Sequence, residues 1–438
     1  MSLTSKVLLG MLLGIVVGLA INLLNLYSDG SFTAVYIVDG LFHVIGKLFI
    51  NSLKMLVVPL VFFSLICGVC GIGDIRLLGR IGSKAFFLYM LTTAIAVASA
   101  IFFAVSAGIG GGMNAQTDAE FTGREAPPLT EVIINIVPSN PIAAMANGEM
   151  LSIIFFAVLS GVSLLMVGKK AAPLLDMASL ANEVMMKMVG IVMAAAPYAV
   201  FGLLAKAMAQ LGMELLSQLI GYVLILIFVL FFHLFVTLQL VLKIFSGLNP
   251  LIYLKKIRSA QIFAFSTASS NATIPVTLRA VTQRMGVDNS VASFTVPFGA
   301  TINMDGTAIM QGVATVFIAN VYGVDLGLSG YLTVIMMSVL ASIGTAGVPG
   351  VGLIMLSMVF TQVGLPVEGI GLIIGVDRLM DMIRTAVNVS GDGVVSCVVA
   401  KSESKLDLAR FNDPQAGQID TEETLTINNT LSEDQTNP

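Results

Sequence analysis

The chain has 438 residues, of which 56% are hydrophobic and only 11% charged, with a formal net charge of −4. A mean hydropathy of +0.94 excludes an ordinary soluble domain and makes the lipid bilayer the relevant solvent. The three cysteines show no disulfide framework; Cys67 and Cys70, a C-x-x-C within an apolar run, read as packing residues, and Cys397 is equally embedded.

The N-terminus, MSLTSKVLLGMLLGIVVGLAINLL, has the Lys6 and apolar core of a signal peptide. Its apolar run is too long for one, and no small-residue cleavage site follows, so a first membrane helix is predicted over 6–27. Further spans are predicted at 45–70, 83–108, 150–168, 182–208, 214–245, 287–319 and 367–400. The runs are continuous rather than alternating, which selects helices over barrel strands. Two segments break this count, 259–281 and 331–360. Each has apolar arms of roughly ten residues around a Ser-rich or Gly/Pro-rich tip, too short to cross but able to enter and return. The expected fold is an all-α polytopic membrane protein with eight spans and two re-entrant helical hairpins.

The basic residues agree with that plan. Arg76, Arg80 and Lys84, Lys169 and Lys170, Lys243, Lys255, Lys256 and Arg258, Arg279 and Arg284, and Lys401, Lys405 and Arg410 share one side only if 259–281 returns. The positive-inside rule makes that side the cytoplasm and puts both termini there. The opposite loop at 111–140 carries Asp118, Glu120, Glu125 and Glu131 against Arg124. The polar, acidic tail 402–438 reads as disordered, and Asn428-Asn429-Thr430 is discounted as a glycosylation site because it lies on the wrong side. A broken hairpin followed by a span occurs twice, at 251–319 and 330–400. Interrupted segments in matching positions point to a binding site between them.

The polar residues lie where such a site would be. In VDRLMDMIRTAVNVSGDG, 376–393, Asp377, Asp381, Arg384, Asn388 and Asp392 fall on one helical face over about 22 Å. Each charge facing lipid would cost about 2.5–3.5 kcal/mol, so the face must meet protein, water or ions. A salt bridge between Asp381 and Arg384 would explain neither Asp377 nor Asp392. In PFGATINMDGTAIMQG, 297–312, Asn303, Asp305, Gly306 and Thr307 interrupt an apolar helix, and Asp-Gly favours unwinding that frees carbonyls. Such oxygens suit small cations. Four aspartates against Arg384 call for monovalent cations and a substrate bearing an amine; Arg378 offsets one charge at an unassigned place. The tips TASSN, 267–271, and GTAGVPGVG, 344–352, offer donors suited to a carboxylate. There is no G-x-x-x-x-G-K-[ST] or H-E-x-x-H motif, and GIGGG at 108–112 follows no strand. This disfavours an ATP-driven pump or a soluble-type enzyme. His43 and His233 stand alone in apolar runs and read as packing or interfacial residues. The 24 methionines read as core and lipid-facing filler.

TASSNATIPVT, GATINMDGTA, SIGTAGVPG and DMIRTAVNVSGD together resemble the signature segments of the dicarboxylate/amino acid:cation symporters. That family includes archaeal aspartate transporters and mammalian excitatory amino acid transporters, and the similarity covers roughly residues 5–400. The resemblance implies a homotrimer in a bacterial inner membrane. Residues 1–75 and 111–208 would form a static scaffold, 76–110 and 209–400 a transport domain moving as an elevator, and 401–438 a tail. The second hairpin would be the gate. Arg384 would bind the substrate's side-chain carboxylate with Thr307, and Asp381 and Thr385 the amine. Asn388 and Ser270 would hold the α-carboxylate, with Ser269 beside them and the backbone of Val348 and Gly350 closing over it. Na+ would bind at Gly299, Asn303, Asn388 and Asp392. A second ion would use Thr301, Ser342, Ile343 and Thr345; a third would use Tyr89, Thr92, Thr93, Asn303 and Asp305. Asp377 would support the ion sites from behind.

The same resemblance separates subclasses. Asp381 favours an amino acid over a plain dicarboxylate, Arg384 an acidic one, and Asp392 sodium over protons. Gln311, where potassium-countertransporting relatives carry Glu, argues against K+. Ala268 and Met382 stand where archaeal and mammalian members carry a second Arg, which leaves affinity open. The implied activity is Na+-coupled import of L-aspartate or L-glutamate, with no enzyme chemistry and no nucleic-acid partner. Carriage of cystine or C4-dicarboxylates, and a ligand-gated anion conductance, are the competing readings. A non-transporting scaffold would leave the polar face unexplained.

Overall fold

The computed structural model describes residues 3–28, 30–70, 78–112, 134, 136–344, 347 and 350–417. Among these the chain is helical throughout, with one isolated β-bridge between Val287 and Leu406. The helices are α1 (Leu3–Leu23), α2 (His43–Cys70), α3 (Ser83–Ala107), α4 (Pro141–Asn147), α5 (Met150–Val167), α6 (Ala172–Ala194), α7 (Ala196–Phe232) and α8 (Leu238–Ser246). They continue with α9 (Pro250–Thr267), α10 (Ser270–Arg279), α11 (Asn289–Ile302), α12 (Asp305–Val321), α13 (Gly327–Gly344), α14 (Val351–Gln362), α15 (Ile370–Ser402) and α16 (Leu408–Asn412). π-Helical turns precede α2 and α3 and join α7 to α8.

Five helical stretches among the described residues are long and apolar enough to cross a bilayer, from Ser5–Leu23 to Ala196–Ser246. The last has 51 residues, far more than the roughly 20 that one crossing needs. It kinks at Gly212, whose φ of 61° is open to glycine at little cost. That kink separates the segments predicted at 182–208 and 214–245. The first of these was drawn too simply: helix begins at Ala172, breaks at Ala195, and restarts with Pro197 near the head of α7. Proline tolerates the first helical turn but not a continuous interior.

α1 explains its own packing. Gly10, Gly14 and Gly18 recur every four residues and face Pro197, Phe201 and Ala205 of α7 so closely that a Cβ on Gly14 would lie 2.7 Å from the Phe201 carbonyl oxygen. Small residues at this spacing let two backbones meet where no hydrophobic drive separates protein from lipid. Cys70 donates to the Gly161 carbonyl between α2 and α5, and all three thiols are free, as a packing role requires.

The first predicted hairpin is a helix–turn–helix pair, α9–α10; the second comprises α13 and α14, and between them only 347 and 350 are among the described residues. α9 and α13 each run 18 residues, longer than the expected arms. For α9 the added turns are the basic stretch Pro250–Arg258, which an apolar-run criterion cannot see. Asn249 caps α9, and Ser269 caps α10 after Ala268 turns the chain in a left-handed conformation. The tips touch: Ser269 Oγ donates to Gly347 O at 2.7 Å, and Asn271 N donates to the same oxygen at 3.3 Å. α15 runs through the centre, packed by α9, α11, α12 and α7.

The tail departs from its expected disorder over 403–417. α16 docks beneath the α9–α10 hairpin with Phe411 fully buried, and Lys256 donates to the Arg410 carbonyl at 2.7 Å. Glu403 pairs with Lys84 at 2.6 Å and with Arg80. Residues 418–438 lie outside the described residues, as does most of the acidic loop at 111–140. At the other end of the bundle, Glu368 bridges Lys47 and Lys54 of α2, at 2.8 and 3.3 Å. His43 is not isolated either, because its Nδ1 lies 2.9 Å from Lys206 Nζ.

Candidate functional site

The break between α11 and α12 falls at Asn303 and Met304. Asn303 leaves helical geometry with φ −99° and ψ 95°, and α12 restarts at Asp305. The break is held by side chains of α15. Asn388 Oδ1 accepts from Gly306 N at 2.7 Å, an unpaired amide of the new helix start, and Asn303 Nδ2 donates to the Asn388 carbonyl at 3.0 Å. Gly306 permits this contact, since a Cβ there would lie 2.6 Å from the Arg384 carbonyl oxygen.

Two groups of polar residues flank the break. The first joins α3, α11, α12 and α15. Asn303 Nδ2 donates to Asp392 Oδ1 at 2.9 Å, and Thr93 Oγ1 donates to Asp305 Oδ1 at 2.6 Å, with Thr92 Oγ1 3.4 Å from the same oxygen. A Cβ on Gly299 would overlap Asp392 Oδ1 and lie 2.6 Å from the Tyr89 hydroxyl, so this glycine lets both oxygens approach the α11 backbone closely. Asn303 Oδ1 is buried with no donor among the described residues. Carboxylate, amide, hydroxyl and phenol oxygens with one unsatisfied acceptor fit a small hard cation such as Na+. The structure therefore brings together Tyr89, Thr92, Thr93, Gly299, Asn303, Asp305, Asn388 and Asp392.

The second group lies on α15 toward α14. Arg384 is fully buried, with Nη2 donating to Asp381 Oδ1 at 2.9 Å and Nη1 2.9 Å from Asp377 Oδ1 in an ion pair without hydrogen-bond alignment. Asp377 thus belongs to the guanidinium and not, as expected, to the ion sites. Arg378, unplaced by sequence, lies 3.7 Å from Asp381 Oδ2. Arg384 Nε, Arg384 Nη1 and Asp381 Oδ2 have no hydrogen-bond partner among the described residues. A Cβ on Gly352 of α14 would lie 3.4 Å from Thr307 Cγ2 and 3.5 Å from Arg384 Nη2, so the second hairpin lies directly over this group. Thr385 Oγ1 turns back to the Asp381 carbonyl at 2.7 Å.

Other expected residues have local partners of their own. Ser269 spends its hydroxyl capping α10 and joining the tips, whereas Ser270 is buried beside it. Gly350 starts α14 with φ 89° and faces Met193. Thr301 and Ser342 bond to carbonyls of their own helices, Phe298 at 2.7 Å and Val339 at 2.8 Å. Thr345 and Val348 lie outside the described residues. Sequence reasoning missed His233, read as packing, whose Nε2 lies 3.0 Å from Asp305 Oδ2. Its only signal was a lone imidazole in the apolar run of α7–α8.

An apolar helical bundle that buries four aspartates and an arginine around a broken helix, under two hairpin tips, is the architecture of a carrier. The model of the sodium:dicarboxylate symporter family matches residues 3–402, and the chain belongs to that family; it is a transporter, not an enzyme. It is 35% identical to a proton/glutamate-aspartate symporter of Escherichia coli (strain K12), over 93% of this chain and 94% of the relative. It is 32% identical to a proton/sodium-glutamate symport protein of Geobacillus stearothermophilus, over 91% and 94%. It is also 32% identical to a C4-dicarboxylate transport protein of Bacillus subtilis (strain 168), over 84% and 88%.

Proposed function

We infer that the protein is a sodium-coupled symporter importing an acidic amino acid, L-aspartate or L-glutamate. The observation that carries this reading is the pair of buried unsatisfied groups on neighbouring turns of α15: donors on Arg384 and an acceptor on Asp381. A side-chain carboxylate satisfies the guanidinium, and an ammonium satisfies the acid. A C4-dicarboxylate supplies only the first and would set a second anion against Asp381. Asn388, Thr385, Thr307, Ser270 and the backbone around Val348 and Gly350 complete the enclosure.

The oxygen cluster at Asp305, Asn303 and Asp392 supports the coupling. Two buried carboxylates without a lysine or arginine against them among the described residues call for cations, and Na+ bound there neutralises what the bilayer would penalise. Each net positive charge carried inward gains about 2.3 kcal/mol per 100 mV. The second ion, at Thr301, Ser342, Ile343 and Thr345, would sit beneath the α13–α14 tip and couple gate closure to sodium.

The moving unit is 76–110 with 209–400, and the static one is 1–75 with 111–208. The kink at Gly212 and the packing of α3 on α12, α13 and α15 support that division. The assembly is a homotrimer in the bacterial inner membrane with both termini in the cytoplasm. Uptake of L-aspartate into proteoliposomes under an inward Na+ gradient, resistant to succinate and cystine, is the expected result. Uptake that ignores Na+ and follows an imposed proton gradient would replace sodium by protons, in line with the name of the Escherichia coli relative. A substrate-evoked current that persists without a substrate gradient would favour the anion conductance.

A further inference from the structure

His233 is buried in the ion layer, yet no role described so far uses it. It is wholly inaccessible and opens the π-helical turn His233–Thr237 that joins α7 to α8. A π-helical turn holds an extra residue and recurs at functional sites in helices. The imidazole Nε2 lies 3.0 Å from Asp305 Oδ2. An ionised carboxylate only accepts, so Nε2 carries the hydrogen and donates. On the far side of the ring, Nδ1 has no hydrogen-bond partner among the described residues. The polar contact this ring makes there is therefore the one to Asp305.

The other oxygen of that carboxylate faces a different helix. Asp305 Oδ1 accepts from Thr93 at 2.6 Å and lies 3.4 Å from Thr92, both on α3. One oxygen is held by the α7–α8 junction, and the other faces the hydroxyls of α3. We propose that His233 is a positioning residue for cation binding at Asp305: its Nε2–H pins Oδ2, which presents Oδ1 to the ion. The proposal rests on the reading that Na+ binds in this cluster.

The physical reason is orientation. The terminal torsion of an aspartate is broad, so an unpinned carboxylate samples many angles. Without the donor, Oδ2 would also be a buried anionic oxygen lacking one of its partners. A lysine or arginine could hold it, but would bring an obligatory positive charge into the place of the cation. An imidazole can donate from Nε2 without one.

The test measures L-aspartate binding to purified full-length protein in detergent across a NaCl series, with choline chloride holding ionic strength constant. Gel filtration and thermal midpoint check folding. His233→Leu is expected to raise the half-effective Na+ concentration by about tenfold or more, as loss of a partner behind a metal ligand does. Aspartate affinity at saturating Na+ should stay within about threefold of the parent. His233→Gln, whose amide nitrogen reaches nearly as far as Nε2, should restore the Na+ midpoint; His233→Asn, one carbon shorter, should not. An unchanged Na+ midpoint in His233→Leu would overturn the proposal, as would an equal loss of aspartate affinity at every Na+ concentration. If His233→Leu does not fold, equal Na+ midpoints for the Gln and Asn variants overturn it instead. If the parent protein binds aspartate without regard to Na+, the symport reading fails and takes this one with it. Failure of the variants alone, with a Na+-dependent parent, removes only the role of His233.

Discussion

α12 begins where α11 stops, at Asn303 and Met304, whereas α15 runs unbroken for 33 residues past every charged group it carries. The broken helix offers short groups and a freed helix start, and it gathers Asn303 and Asp305 with the hydroxyls of α3. The unbroken helix offers a fixed ladder of side chains, and it aligns Asp377, Asp381 and Arg384 on one face. Small cations need many oxygens at close range, which an intact helix cannot supply because its carbonyls are occupied. A zwitterionic substrate needs opposite charges at fixed spacing, which an intact helix supplies best. Asn388 joins the two, accepting from Gly306 N at 2.7 Å while standing on α15.

Substitutions on either side can break that division of labour. The largest effect is expected from Arg384→Gln, which removes the substrate anchor and leaves Asp377 and Asp381 buried against each other. L-Aspartate affinity should fall by more than about 100-fold in a direct binding assay. Asp381→Asn should act selectively, weakening aspartate by about 30-fold while leaving succinate unchanged or improved; equal losses would refute a role in amine recognition. On the broken-helix side, Gly299→Ala would push Asp392 Oδ1 and the Tyr89 hydroxyl out of place. It should raise the Na+ requirement about tenfold with little change in aspartate affinity at saturating Na+.

Away from both helices, Gly14→Leu should cost about 1–3 kcal/mol by forcing α1 off α7, read as a lower thermal midpoint with unaltered binding. The smallest effect is expected at Glu368, whose partly exposed ion pairs contribute little. Glu368→Gln should lower stability by no more than about 1 kcal/mol, read as a small drop in thermal midpoint with unaltered binding.

How much of this was legible beforehand follows from the range of the interactions. The break at 303–304 was visible because Asn-Met-Asp-Gly is a local signal, and the polar face of α15 was visible because helical spacing is local too. What each group touches was not. Asp377 shares its face with Asp392 as much as with Arg384, and only packing decides that it pairs with the arginine. His233 meets Asp305 across 72 residues of chain, a separation that leaves no periodicity to read. The tail misled in another way: its average composition is that of a disordered segment, but Phe411 is fully buried and backbone hydrogen bonds from Asp407 to Gly286 and from Asp288 to Lys405 hold the segment in place.

The glycine seam of α1 has a consequence for how the chain is made. α1 leaves the ribosome well before α7, and the surface that fits Gly10, Gly14 and Gly18 begins only at Pro197. At about 5–20 residues per second, the helix waits on the order of tens of seconds for its partner. During that interval it must rest in lipid with a groove along one side, and its apolar flanks allow this. The seam is thus a reserved berth, shaped to refuse larger side chains until the correct late-arriving helix closes it.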